Sequence, residues 1–146
     1  MEPQRRHIDT VIESTAGGTY PADKSASKSL DAAILHSWQR CVSQYSLDPA
    51  RTRSARIVTS RQLRAHQERA ELLTRIARHA VVDLYRQIAA AGYIVLLADQ
   101  EGIAIDYLGD DGQTHALREA GLYMGAEWLE SVAGTNAVGT VLATGS

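Results

Sequence analysis

The stretch Tyr93-Ile94-Val95-Leu96-Leu97-Ala98-Asp99-Gln100-Glu101-Gly102-Ile103-Ala104-Ile105-Asp106-Tyr107-Leu108 decides the fold class. Tyr93 to Ala98 is a short apolar run rich in β-formers, suited to a strand buried on both faces or nearly so. Asp99 and Gly102 stand at the first and last positions of a type I turn. Ile103, Ile105 and Tyr107 then share one face of a second strand. The pattern predicts a β-hairpin, stopped by Gly109-Asp110-Asp111-Gly112. A two-stranded hairpin alone is marginal in water, so these strands are expected to need more sheet than this chain can supply.

Upstream the period is helical. Leu30, Ile34, Leu35, Trp38, Cys41, Val42 and Tyr45 recur at three- and four-residue steps, with Ser29 as N-cap, Asp31 in the first turn and Pro49 ending the segment. A second helix starts at Thr59, which stands to Gln62 as in a capping box. Leu63, Ala70, Leu73, Ala77, Ala80 and Leu84 form its stripe, and Gly92 supplies a left-handed C-terminal stop. One helix over this span is roughly 50 Å long, overhangs a domain of this size, and predicts a partner, most simply a second copy. Residues 1–28, with Gly17-Gly18, Pro3 and Pro21, read as a loose arm.

Downstream, a short helix is expected from about Gln113 to Ala120, closed by Gly121. A segment holding Gly125 and Trp128 leads to Gly134, and a last helix runs from Thr135 or Asn136 towards Thr144. The fold class is α+β, with N-terminal helices including one long helix. The expected partition is 1–28 arm, 29–92 helical and dimerising, 93–146 mixed.

Composition excludes several classes. The 146 residues are 45% apolar and 22% charged, close to the globular average. The run around Tyr93 to Ala98 is far short of the roughly 20 residues that span a bilayer. The first 28 residues lack a signal-peptide core. These features point to a cytoplasmic chain without membrane contact. One cysteine, Cys41, admits neither an intrachain disulfide nor a Cys-pair metal site. Net charge is −2, yet residues 1–92 carry 14 Lys/Arg against 9 Asp/Glu, and residues 93–146 carry one arginine against 8 acids. The arginines from Arg51 to Arg86 read as a solvated helix face, with weak nucleic-acid contact as the alternative.

No catalytic constellation emerges. Gly134-Thr135-Asn136-Ala137-Val138-Gly139-Thr140 has the glycine spacing of a Walker A loop, but Thr140 holds the lysine position. Thr135 or Asn136 can cap the last helix or meet a small anion. His7, His36, His66, His79 and His115 show no ligand spacing, so no metal is expected. Cys41 on an apolar helix face reads as a buried inert thiol. Glu127 and Glu130 flank Trp128, either as solvated acids over a core tryptophan or as the lining of a polar pocket.

Ser37-Trp38-Gln39-Arg40-Cys41, Leu47-Asp48-Pro49, Gly125-Ala126-Glu127-Trp128 and the Gly134 to Thr140 segment, in that order, give the chain a family likeness. It resembles the N-terminal sensory region of sigma-54-dependent transcriptional activators of the acetoin-catabolism regulator type, from about Ala33 onward. The resemblance implies a helical arm leading into a GAF sensor domain, here a partial one that ends inside its sheet. It implies a regulatory, non-enzymatic role with no cofactor and no metal. A small-molecule effector is expected near Glu127, Trp128, Thr135 and Asn136. Sigma-54 polymerase and promoter DNA would be engaged through an ATPase and a DNA-binding domain beyond this chain. Leu129 stands where many members carry serine between the tryptophan and the glutamate. The competing readings are a dimerisation module without ligand and a GAF-fold enzyme, which would need cysteines after Gly92.

The chain is expected to hydrolyse no ATP and to bind no specific DNA sequence. Duplex binding through the arginines should vanish as salt rises. A footprint on one promoter at physiological salt would overturn this.

Overall fold

The computed structural model describes residues 2–15, 28–51 and 53–145. Among them are α1 (Glu2–Thr15), α2 (Lys28–Ser43), α3 (Ser60–Arg69), α4 (Glu71–Ile88), β1 (Val95–Ala98), β2 (Ala104–Leu108), α5 (Thr114–Glu119), α6 (Glu130–Ala133) and α7 (Ala137–Thr144). The fold is α+β. Two compact units form: residues 1–53 with 130–146, and residues 54–129. The helical segment 29–92 thus contributes to both.

In the first unit, residues 2–15 form α1 where a loose arm was expected. Val11 is buried, and α1 packs on α2. Ile8, Val11, Ile12 and Thr15 have helical spacing, a pattern too short to stand out beside the prolines and glycines around it. The Gly17-Gly18 and Pro21 portion of that arm lies outside the described residues. Helix α2 already includes Lys28 and Ser29, so Ser29 lies inside the helix rather than ahead of it. It ends at Ser43, ahead of Pro49, because Ser46 takes a left-handed φ of 54° and the Leu47 N–H closes on the Cys41 carbonyl at 2.9 Å. Helices α6 and α7 both pack on α2.

In the second unit the hairpin forms as expected. Strands β1 and β2 are antiparallel, pairing Val95 with Leu108, Leu96 with Tyr107 and Leu97 with Asp106. The register slips between Leu97 and Ala98, which pairs with Ala104. That slip leaves Ile105 over as the extra residue of a bulge. Ile103, Ala104 and Ile105 are consequently all buried, and simple alternation is lost. At the turn, Gly102 N–H donates to the Asp99 carbonyl at 3.0 Å. The Asp99 carboxylate accepts from the Glu101 and Ile103 amides at 2.9 and 3.0 Å. Gly102 has φ +77°, and an added Cβ would meet Leu129 at 3.1 Å, so glycine is required there.

Contrary to the expectation that the chain cannot supply more sheet, some is supplied by its own segments, too short to be read as strands. Ala104 N–H donates to the Ala126 carbonyl at 2.9 Å, and Gly125 N–H donates to the Ala104 carbonyl at 2.7 Å. Ile57 in turn bridges Ala126. Residues 125–127 therefore cover the second edge of β2, and Ile57 lies beyond them. Among the described residues, β1 is paired on one edge only.

The expected 50 Å helix is two helices. Ala70, at φ −97° and ψ 11°, separates α3 from α4. Three side chains in the last turn of α3 are engaged with the hairpin. Gln67 Nε2 donates to the Ile105 carbonyl at 2.9 Å, His66 meets Asp99, and Arg69 meets Glu101. Helix α4 packs on both strands. Ala70 lies between the two sets of contacts. Helix α4 alone spans roughly 27 Å. The Thr59 capping box is present in full, with Thr59 Oγ1 accepting from Gln62 N–H and Gln62 Oε1 accepting from Thr59 N–H. Gly92 closes the helical run in the left-handed region, φ +77°.

Replacing Thr59 by Ala removes the hydroxyl half of that box, the bond accepted from the Gln62 amide, and leaves the backbone N–H at position 59 able to donate to Gln62 Oε1. It should lower the unfolding free energy by about 1 kcal/mol. Urea denaturation measures this, and an unchanged midpoint would show that the box carries no stability.

Candidate functional site

Helix α2 sets Ser37, Arg40 and Cys41 on one face, at i, i+3 and i+4. Ser37 sits in the apolar series Leu30, Ile34, Ser37, Cys41, and it is fully buried. Opposite lies Glu130, the first residue of α6, with 2% exposure. Arg40 grips it with two bonds, Nε to Oε2 at 2.9 Å and Nη2 to Oε1 at 2.8 Å. Ser37 Oγ donates to Glu130 Oε1 at 2.6 Å, and Thr140 Oγ1 of α7 donates to the same oxygen at 2.9 Å. Thr135 Oγ1 lies 2.8 Å from Ser37 Oγ and 3.6 Å from Cys41 Sγ.

Burial alone would push the Glu130 carboxyl upward. The bonds from Arg40, Ser37 and Thr140, with the arginine charge, outweigh it and hold the group below the ordinary carboxylate value. The hydrogen bond to Glu130 likewise raises Arg40. Burial raises the Cys41 thiol, which is the inert thiol expected from the sequence.

These positions correct one reading. Glu130 is no solvated rim acid, because four donor contacts replace its water. Asn136 is the cap of α7, its Oδ1 accepting from Gly139 N–H at 2.8 Å. Thr140, at the Walker lysine position, is committed to Glu130. Sequence reasoning passed over Ser37 and Arg40 as polar partners, weighed Glu130 only as a solvated acid or pocket lining, and weighed Thr140 only at the Walker lysine position. The available signal was a hydroxyl at a core position of α2 with an arginine three residues on.

In the other unit, Glu127 pairs with Arg56 at 3.1 Å, and its N–H donates to the Arg56 carbonyl at 3.0 Å. Trp128 is half-buried, and its N–H donates to the Gly102 carbonyl at 2.8 Å. Of the four expected ligand contacts, Glu127 and Trp128 therefore belong to one unit and Thr135 and Asn136 to the other.

A second cluster was invisible to local spacing. His66 Nδ1 lies 2.7 Å from Asp99 Oδ2, and His66, Asp99 and Glu101 present ligand atoms within 4.8 Å of one another. This donor set could hold a metal ion. The Arg69 guanidinium already supplies a cation, 3.0 Å from Glu101 and 3.1 Å from His66. Two Asp99 oxygen contacts are also spent on the turn amides. The arrangement serves as a polar lock between α3 and the hairpin.

No family model matches the chain, and no solved structure matches it. Along 142 residues, 97% of its length, it is 53% identical to the acetoin catabolism regulatory protein of Cupriavidus necator. That relative is a regulator by name. The chain spans about a fifth of it, 21%. Among the described residues, no helix is long and apolar enough to cross a membrane.

The contribution of Glu130 has a defined pH window. Its native value lies below its unfolded one, so the stabilisation is complete above the ordinary carboxylate value, about 4.3. It is lost as pH falls through the lower native value. Urea titrations between pH 7 and pH 3 should show this loss in the wild type, and Glu130→Gln should remove that component. Glu130→Ala should cost about 2 kcal/mol at pH 7, since it strands Arg40 and two hydroxyls. Identical pH profiles for wild type and Glu130→Gln would contradict the assignment.

Proposed function

We propose that this chain is the sensory part of a longer transcriptional regulator, acting without catalysis of its own. The observation that carries the reading is the 53% identity to an acetoin catabolism regulatory protein along 97% of the chain. In this reading the segment from Tyr93 onward is part of a GAF-type sensor. An effector, a small polar metabolite, shifts the activity of sigma-54 polymerase through an ATPase and a promoter-binding domain elsewhere in the longer protein. Those partners place the regulator in the cytoplasm.

The chemistry of the candidate contacts ranks them. Asn136 Oδ1 is occupied by its cap, and Thr135 is engaged with Ser37 and Cys41. Glu127, 13% exposed, holds the exposed Arg56 at 3.1 Å, and a polar ligand group could take the place of that arginine. Trp128 offers an aromatic wall next to it. Glu127 and Trp128 are therefore the favoured effector contacts. Burial of Cys41 supports a non-enzymatic role, since the raised thiol is a poor nucleophile.

Substitution of Glu127 by Gln and Trp128 by Leu in the longer regulator should move the effector response at least tenfold while promoter binding stays intact. Thr135→Ala and Asn136→Ala, tested separately, should act through stability alone. An induction curve unaltered by the first pair would remove the site.

A further inference from the structure

The last turn of α3 and the turn of the hairpin bring three side chains with metal-ligating atoms together. His66, Asp99 and Glu101 present those atoms within 4.8 Å of one another, all inside the 54–129 unit. Asp99 is 8% exposed and the His66 side chain 12%, so water competes little for either. The two Asp99 oxygens have separate duties. Oδ1 accepts from the Glu101 and Ile103 amides at 2.9 and 3.0 Å. Those bonds hold the carboxylate with Oδ2 towards His66 Nδ1, 2.7 Å away. A carboxylate ligand held through hydrogen bonds of its own is the usual outer support of a metal site.

A conflict at His66 Nδ1 points to a cation. The nitrogen lies 2.7 Å from Asp99 Oδ2 and 3.1 Å from Arg69 Nη2. A ring nitrogen carries either a proton or a lone pair, never both. With the proton, Nδ1 donates to Asp99, and the Arg69 N–H then faces another donor. With the lone pair, it accepts from Arg69, and Asp99 Oδ2 then faces another acceptor at hydrogen-bond distance. A metal ion on that lone pair serves the nitrogen and both carboxylates together. Arg69 supplies positive charge here, 3.0 Å from Glu101, but its side chain is 57% exposed and can swing out into solvent.

We propose that a divalent ion of the zinc class exchanges with the Arg69 guanidinium and is held by His66 Nδ1, Asp99 Oδ2 and the Glu101 carboxylate, with water completing its coordination. One imidazole with two carboxylates suits zinc better than calcium or magnesium, which take oxygen ligands. At zinc bond lengths of about 2.0–2.2 Å, His66 and Asp99 separate slightly. Glu101, 53% exposed, has the freedom to move in. The ion then ties α3 to the hairpin turn. The inference is independent of the regulatory reading.

Zinc titration of the 146-residue chain against a chromogenic chelator, with calcium run in parallel, tests this. The expected result is one zinc per chain and no calcium binding at equal concentration. His66→Gln, Asp99→Asn and Glu101→Gln should each weaken zinc binding at least about tenfold. Asp99→Asn keeps an oxygen for the turn amides, so it separates loss of the ligand from loss of the turn. Arg69→Gln should tighten binding about threefold, the scale of one exposed charge, because it removes the competing cation and touches no ligand. Circular dichroism of Glu101→Gln and Arg69→Gln should match the wild type, since both side chains reach solvent. A chain that takes up no zinc overturns the inference, as does one that binds calcium equally well. Zinc binding indifferent to Glu101→Gln, or no tighter in Arg69→Gln, is adventitious capture by the other histidines and overturns it too.

Discussion

A carboxylate with 2% exposure is tolerable only when its partners are already in place, and Glu130 sets that condition for its whole unit. The fork of Arg40 and the hydroxyl of Ser37 require α2 alongside, and the hydroxyl of Thr140 requires α7. Helix α6 is only four residues, Glu130–Ala133, too short to persist alone. It is helical where its first residue is fastened. The pair is no surplus of stability over an apolar core. Its effect is specificity: an apolar side chain tolerates sliding, whereas a bidentate arginine with two hydroxyls accepts one arrangement of three helices.

The other unit solves a related problem at the hairpin turn. Asp99 is 8% exposed, its oxygens divided between two turn amides and His66. A buried acid again marks a change of chain direction. The uneven charge of the sequence follows the same logic. Acids after Gly92 meet arginines before it, as Arg56 with Glu127, Arg69 with Glu101, Arg78 with Asp106 and Arg40 with Glu130. What reads as a basic stripe followed by an acidic segment is, in part, one set of pairs written in two places. The exposed pairs contribute little to stability. They do reduce the free basic surface available to a phosphate backbone.

What could be read from the sequence was local. The hairpin, the Thr59–Gln62 box, the left-handed Gly92 and the Asn136 cap all depend on residues within a few positions of one another. Features set by distant contacts could not be read. Periodicity from Leu63 to Leu84 runs through Ala70 without a glycine or proline, so the break there, next to the hairpin contacts of His66, Gln67 and Arg69, has no local mark. Ala126 lies in no β-rich run, and the pairing with Ala104 is one bond to the Ala126 carbonyl and one from the Gly125 N–H. Glu130 looks like its neighbour Glu127 in sequence. Only the chain 90 residues away decides that one is buried and the other reaches the surface.

That distinction bears on the motifs that gave the chain its family likeness. Ser37, Arg40 and Cys41 come from one motif and Thr135 and Thr140 from another, and all surround the single residue Glu130. Their hydrogen-bonding capacity is largely consumed among themselves, so a ligand could enter only by displacing a bond the fold depends on. Gly125 and Ala126 are spent as well, bonded to β2. Of the residues in those motifs, Glu127 and Trp128 retain a side chain whose loss would leave the backbone layer intact. A motif that looks like a binding signature therefore contains groups that hold the fold, and the buried charge of Glu130 is what they gather around.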